Sequence, residues 1–338
     1  MNGGTLMKIS HILLEVSGCL CAAGLLIAGT GFFLSGFDYH NLSTYREGTD
    51  KSHSYSLEGV TAIRIDIRNQ PVTVEHSPDG DFHIFYREDE GDQYTLEAEN
   101  GSIAVTHRSS TGLDFLLRGL FYNFFVSPRH ITVQIPADYA ARLNISTTNA
   151  TVKASDYLFL QEAVFHTTNA PVTLSRIHCT ALDVRTTNAQ AELTAIEADL
   201  AAVSSSNGWL TFQGLQITGE LQAKTSNAGL TLEAVNCGRA ILKTSNGQVL
   251  LTDVQASEYL SARSSNAPIR LENLKSPSTI LKTSNGRVEG TIAGDPSTFY
   301  IQSQTSNGKN NLPQAGSPTF PNQLEVTTSN ADIQVDFA

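Results

Sequence analysis

Residues 224–251 read KTSNAGLTLEAVNCGRAILKTSNGQVLL. The triplet Thr-Ser-Asn occurs twice here, followed once by Ala and once by Gly, and Asn227 and Asn246 stand 19 residues apart. Between them Leu230 and Leu232 alternate with Thr231 and Glu233, the period-two pattern of a strand with one buried face. Val235 is apolar again, and Ile241-Leu242-Lys243-Thr244 leads into the second tetrad as another short strand.

Outward from this stretch the tetrad Thr/Ser-Thr/Ser-Asn-Ala/Gly occurs ten times. Its asparagines are Asn149, Asn169, Asn188, Asn207, Asn227, Asn246, Asn266, Asn285, Asn307 and Asn330, spaced by 20, 19, 19, 20, 19, 20, 19, 22 and 23 residues. Three and five residues after most of them stand apolar side chains such as Val172 and Leu174, or Leu210 and Phe212. The eighth position is apolar too, as at Ile177, Ile196, Leu215 and Val235. No stretch of the repeats sustains a helical period.

A unit this short cannot bury its own apolar face, but units stacked in register bury a continuous core. The expected fold is therefore all-β, a parallel β-solenoid with about 19–20 residues per coil and a rise of roughly 4.8 Å per coil. The asparagines are expected at the corners, where Asn tolerates left-handed backbone and the small residue after it permits a tight turn. Their stacked amides are expected to hydrogen-bond from coil to coil as a structural ladder.

The chain before the first tetrad is less regular. Strands are expected at 60–68, 72–76, 82–86, 94–99, 103–107 and 130–135, with Asn69 and Asn100 as degenerate corners. An apolar insertion at 109–127 interrupts them. Within it Leu113, Leu116, Leu117, Leu120, Phe121, Phe124 and Phe125 fall at helical spacing. That amphipathic helix can cap the solenoid end, lie on a membrane surface or dock a partner. The resulting division is a tail at 1–11, a transmembrane helix at 12–37, a linker at 38–54, irregular solenoid strands at 55–145 and regular repeats at 146–338.

The span rests on residues 16–37, VSGCLCAAGLLIAGTGFFLSGF, which carry no charge and as a helix cover roughly 33 Å, enough to cross the hydrocarbon core. A signal anchor is favoured over a cleaved signal peptide, because the run exceeds a secretory h-region. A lipoprotein signal ending at Cys19 is the third possibility. Basic residues nearly balance across the span, so orientation is taken from the length of the chain on its C-terminal side: a single-pass cell-membrane protein with its C-terminal domain outside the cytoplasm.

With 22 Lys and Arg against 33 Asp and Glu, the formal charge is −11, which argues against nucleic acid as a partner. Cys179 and Cys237 share a phase three coils apart, about 14 Å, too far for a disulfide; both are expected as core residues. Glu233 and Glu272 share a phase two coils apart, a marginal spacing for a glycosidase pair. Asp156 and Asp253 share another, five coils apart. His166 and His178 are expected on the surface. No phosphate loop, nucleophile elbow, zinc motif or calcium loop occurs. No catalytic, cofactor-binding or metal-ligating residue is therefore assigned, and no cofactor.

The tetrads, the closing Val326-Thr327-Thr328-Ser329-Asn330-Ala331-Asp332-Ile333 and the apolar segment upstream resemble the bacterial putative-adhesin family of unknown function, whose repeats carry Thr-Ser-Asn-Gly. The resemblance covers roughly residues 55–338. It implies a right-handed parallel β-helix, membrane anchoring and, in some members, a link to envelope-stress signalling. It brings no catalytic residues. The function expected is a membrane-anchored cell-envelope structural or interaction module, with the membrane and an envelope protein or glycan as partners. The alternative is a β-helix enzyme acting on polysaccharides.

Overall fold

The computed structural model describes residues 48–88, 92–109, 130–155 and 158–338, with six helical positions between 17 and 33. Among the described residues no helix is long and apolar enough to cross a membrane. Apart from those six positions, the predicted span at 12–37 lies outside the described residues, as does the predicted amphipathic helix with Leu113, Leu116, Leu117, Leu120, Phe121, Phe124 and Phe125.

The first strands are β1 (Thr49–Ser56), β2 (Ala62–Ile67), β3 (Val72–His76), β4 (Asp81–Glu88), β5 (Asp92–Glu99), β6 (Ser102–Ser109), β7 (Ile131–Ile135), β8 (Arg142–Thr147) and β9 (Val152–Ala154). The regular coils follow as β10 (Leu158–His166), β11 (Val172–Ser175), β12 (Ile177–Arg185), β13 (Ala191–Thr194), β14 (Glu197–Ser204), β15 (Leu210–Gln213), β16 (Gln216–Lys224) and β17 (Leu230–Glu233). They continue through β18 (Asn236–Lys243), β19 (Val249–Thr252), β20 (Gln255–Arg263), β21 (Ile269–Leu274), β22 (Ser278–Lys282) and β23 (Val288–Ile292). The last are β24 (Phe299–Gln304), β25 (Asn322–Thr327) and β26 (Ile333–Phe337).

These strands form a parallel β-solenoid of two 13-stranded sheets. Each regular coil gives a short strand to the first sheet, such as β15, and a longer one to the second, such as β16. Inward residues of both sheets meet in one core: Leu210, Phe212, Leu215 and Leu221 are fully buried. Each such side chain stabilises the fold by about 1.5–3 kcal/mol relative to exposure, which a single isolated coil could not obtain.

The alternation of 19- and 20-residue coils is absorbed in the second sheet. The register slips between β14, β16, β18 and β20: Ala198–Leu200 faces Ile217–Glu220, which faces Cys237–Arg239, which faces Ala256–Tyr259. These bulges take up the extra residue, so the columns before and after them stay aligned.

The two ends depart from chain order. In the second sheet β2 lies between β6 and β8, and in the first β3 lies between β7 and β9. The chain thus forms an inner coil, steps outward and then returns. The antiparallel strands β4, which pairs with β7, and β5, which pairs with β6, close this end. Tyr86 of β4 and Tyr94 of β5 join the sheets with ring centroids 4.1 Å apart, and the Tyr94 hydroxyl donates to the buried Gln70 side chain. Among the described residues, then, antiparallel strands cover this end, and residues 49–54, expected in a linker, begin β1. Asn100 corrects a second expectation. It is no solenoid corner but forms, with Gly101, the two-residue turn of the β5–β6 hairpin, at φ of 54° and 72°.

At the other end β25 inserts between β22 and β24. The loop after β24 covers both sheet edges. The Asn311 side chain accepts from the Val335 N–H at 2.9 Å and donates to the Val335 carbonyl at 3.1 Å, acting as a strand for β26. Ala315 bridges Ile301 of β24, whose sheet edge would otherwise stay unpaired.

The left-handed residues are not where the sequence pattern places them. None of the ten tetrad asparagines has positive φ; instead the residue seven positions after six of them does. These are Arg176, Ala195, Gly214, Ala234, Asp253 and Asn273, at φ from 51° to 64°. They form the second corner, between the short strand and the next long one. The tetrad's Gly has a different reason. A Cβ on Gly208 would lie 1.7 Å from the Ala189 carbonyl oxygen, and one on Gly247 1.7 Å from that of Ala228. Gly208→Ala is therefore expected to cost about 1–3 kcal/mol by overpacking. Ala234→Gly removes left-handed strain of about 1–2 kcal/mol against a glycine entropy cost of about 0.5–1 kcal/mol, and should leave the protein as stable or slightly more so. Urea unfolding of both variants checks this; a fully stable Gly208→Ala protein contradicts the close approach.

Candidate interaction ridge

The tetrad places three residues differently. Its first Thr or Ser points inward and is buried, the second points outward, and the Asn projects at the corner. Repeated at strand spacing, this makes three parallel columns along one edge of the solenoid.

The asparagine column is continuous. Each side-chain N–H donates to the carbonyl oxygen of the previous rung at 2.6–2.8 Å, in the spatial order Asn69, Asn149, Asn169, Asn188, Asn207, Asn227, Asn246, Asn266, Asn285, Asn330 and Asn307. Asn69, in Arg68-Asn69-Gln70 without a full tetrad, begins the row. The last two rungs are exchanged relative to chain order, following the insertion of β25. From Ala189 onward the residue after each asparagine alternates in space: Ala189, Gly208, Ala228, Gly247, Ala267, Gly286, Ala331, Gly308. In chain order the final pair breaks that alternation, a sequence signal of the exchange.

All eleven asparagines are exposed, so water can replace a missing amide and a gap costs little. The buried hydroxyl column is the stronger joint. Thr244 donates to the Ala228 carbonyl of the previous coil at 2.9 Å and accepts the Gly247 N–H of its own turn at 3.2 Å. Ser264 and Thr283 repeat both bonds one and two coils on. The short hydroxyl two residues before each of the ten tetrad asparagines is the sequence signal for this row.

Beside the ridge, on the first sheet, lies an open groove of about 480 Å³ lined in part by Asn266, Asn285, Arg270, Arg287, Glu289 and Asp332. Arg270 meets Glu289 at 2.7 Å and Arg287 meets it at 3.2 Å. Partial burial alone would push the Glu289 carboxyl up, but the hydrogen bonds from Arg287 and Arg270 outweigh it and hold the group below its usual value.

Elsewhere the titratable groups are dispersed. Glu233 and Glu272 flank Thr252 in successive strands, two rungs apart. Asp253 accepts from Asn273 at 2.7 Å, and Asp156 lies outside the described residues. His166 stands 3.6 Å from Asp183, and His178 3.2 Å from Glu197. Among the described residues no group of three or more His, Cys, Asp or Glu could hold a metal ion.

Residues 60–336 match the Toastrack DUF4097 family. The chain belongs to that family. A comparison with curated protein sequences gives no match. Among solved structures, this Toastrack chain is similar to that of a putative adhesin from Parabacteroides merdae ATCC 43184, at 9% identity and a TM-score of 0.34, covering 86% of this chain and 96% of the other. It is similar also to that of a putative adhesin from Bacteroides fragilis NCTC 9343, at 11% identity and a TM-score of 0.32, covering 85% and 97%. A third is that of a putative lipid binding protein from Parabacteroides distasonis ATCC 8503, at 10% identity and a TM-score of 0.30, covering 86% and 95%. Scores at this level carry no weight for function, and the solenoid assignment rests on the strand registers.

Two outcomes are expected of the Toastrack solenoid. Asn246→Ala should cost no more than about 1 kcal/mol, whereas Thr244→Val, which strands a buried carbonyl and a buried N–H, should cost about 1–3 kcal/mol. Chemical unfolding ranks the two, and a larger loss at Asn246 reverses the assignment. Cys179 and Cys237 are free and buried in one core column. Burial pushes their thiols up, to about 12 and about 11. In a Cys19→Ser/Cys21→Ser background both should resist iodoacetamide at pH 8 until the protein is unfolded; rapid labelling of the native protein would contradict the packing.

Proposed function

We propose that the chain is a non-catalytic interaction module of the cell envelope, adhesin-like in the sense that it displays a repetitive surface to a partner. The observation that carries this reading is the ridge itself: aligned, exposed columns of amide and hydroxyl groups on a rigid stacked scaffold. Such a surface offers many identical contacts along a line, which suits a repetitive ligand better than a single small substrate. The segment at 12–37 acts as a single-pass membrane anchor that holds the solenoid outside the cytoplasm. Its length and the absence of charge over residues 16–37 support this, as do Leu26 and Phe33, which leave 71% and 65% of their surfaces uncovered.

Fractionation of cells expressing the full chain tests both parts. The protein should stay with membranes after a carbonate wash, lose that association when 12–37 is deleted, and be cut by protease added to intact cells. It should also sediment with purified bacterial envelopes. A full chain that stays soluble removes the anchor, and failure to sediment with envelopes removes the module. Release of reducing ends from envelope polysaccharide would replace the module by an enzyme.

A further inference from the structure

The second sheet carries a column that the fold does not require. Three residues before successive ladder asparagines stand Lys224, Lys243, Arg263 and Lys282, paired directly to one another across β16, β18, β20 and β22. Four cations thus succeed one another at about 4.8 Å per rung in a chain of net charge −11. Like charges directly opposite on neighbouring strands are destabilising. Period two turns this column outward, and Lys224, Lys243 and Arg263 are exposed, so neutral residues would serve the core equally well.

The run is also left uncompensated at its centre. Lys282 is paired with Glu325 at 2.5 Å. Among the described residues no carboxylate pairs with Lys224, Lys243 or Arg263; Arg263 contacts only the Ser261 hydroxyl, at 3.2 Å. The neighbouring column is neutral there, with Gln222, Ile241, the buried Ser261 and Ile280 in register. On the other side run the outward serines and the asparagine ladder. Each ladder amide spends one N–H and one acceptor site on its neighbours, which keeps a second N–H and a second lone pair for a ligand.

We infer that this strip binds a linear polysaccharide carrying a carboxylate on each sugar. The rung spacing is comparable with the length of one sugar in an extended glycan, so successive carboxylates can meet successive cations. Sugar hydroxyls both donate and accept, as do the serine and asparagine columns, whereas phosphate oxygens only accept. Nucleic acid fits poorly: binding of its single strands uses aromatic platforms, and the cation, serine and asparagine columns contain none. This inference rests on the interaction-module reading and names a ligand class for it.

The test uses the full chain, solubilised, with polygalacturonate as probe and fully methyl-esterified polygalacturonate, polyphosphate and single-stranded DNA as comparisons. Polygalacturonate should bind in a salt-sensitive manner, and the ester should not. Lys224→Gln/Lys243→Gln/Arg263→Gln should weaken binding at least about tenfold, the order of three lost charge contacts, without lowering Tm. The control Arg64→Gln/Lys153→Gln/Lys275→Gln should bind as the natural chain does. If the first variant folds poorly, Lys224→Arg/Lys243→Arg/Arg263→Lys should fold and keep its affinity. Unchanged binding by the glutamine variant, or no binding by the natural chain, overturns the inference. Equal or tighter binding of polyphosphate or DNA overturns the choice of glycan. A chain that sediments with envelopes but ignores polygalacturonate loses this inference alone; one that does neither loses the module reading as well.

Discussion

The buried hydroxyl two residues before the tetrad asparagine is the joint on which the central coils of the solenoid depend. At Thr244, Ser264 and Thr283 it accepts an N–H from its own turn and donates to a carbonyl of the coil before, as Thr244 does between Gly247 and Ala228. That bond pair fixes the turn and its height above the neighbouring turn together. Strand pairing alone leaves register open to slippage, because parallel strands of similar composition can slide by two residues and still bury an apolar face. A hydroxyl that must find one particular carbonyl removes that freedom. Once the tetrad corner is locked, everything from β10 to β23 is carried into columns, and the second sheet can take up an extra residue as a bulge without loss of alignment.

The two corners divide the work. At the tetrad the coils approach so closely that Gly208 and Gly247 have no room for a methyl group over the previous carbonyl. At the opposite corner there is room, and a Cβ on Gly214 would meet nothing within 4 Å. There the chain turns by left-handed backbone, and Arg, Ala, Asp and Asn accept the strain because the N–H of each is held by the next coil, as Ala234 is by Thr252. Glycine is thus used for space at one corner, and left-handed geometry is imposed by neighbours at the other.

This division explains which parts of the structure the sequence displays. The apolar phases after Asn169 or Asn207 mark strands because burial acts on side chains, whose alternation is visible residue by residue. The left-handed corner leaves no such mark. Arg176, Ala195 and Asp253 share a backbone conformation but no side-chain chemistry, and local preference is overridden by stacking. Asn100-Gly101 shows the converse: a strong local turn signal is easily taken for another rung when a repeat dominates the chain. The exchange of the last two rungs was hidden for a different reason. Spacing along the chain records order in sequence, and only the Ala and Gly alternation, a contact property, records order in space. The ridge asparagines stood out by repetition, while the run of cations beside them varies between Lys and Arg and spans only four rungs, so the tetrad does not mark it.

In a solenoid any column is multiplied by stacking, and its chemistry therefore has a cost or benefit that accumulates. The groove on the first sheet shows how the chain handles charge when stability decides. Glu289 is paired with Arg270 across the rungs and with Arg287 two residues before it in its own coil, and its carboxyl is held below its usual value by the guanidinium bonds that overcome its partial burial. The column through Lys224, Lys243 and Arg263 does the opposite. Each adjacent like pair costs up to about 1 kcal/mol in water, and less when salt screens it, and the cost recurs at every step of the run. A sequence whose other exposed columns are mostly neutral or paired had neutral substitutes at hand, since Ser204 fills the same column one rung away. A repeated, avoidable repulsion on an exposed face is the mark of a surface shaped by what it meets outside the molecule rather than by the packing within it.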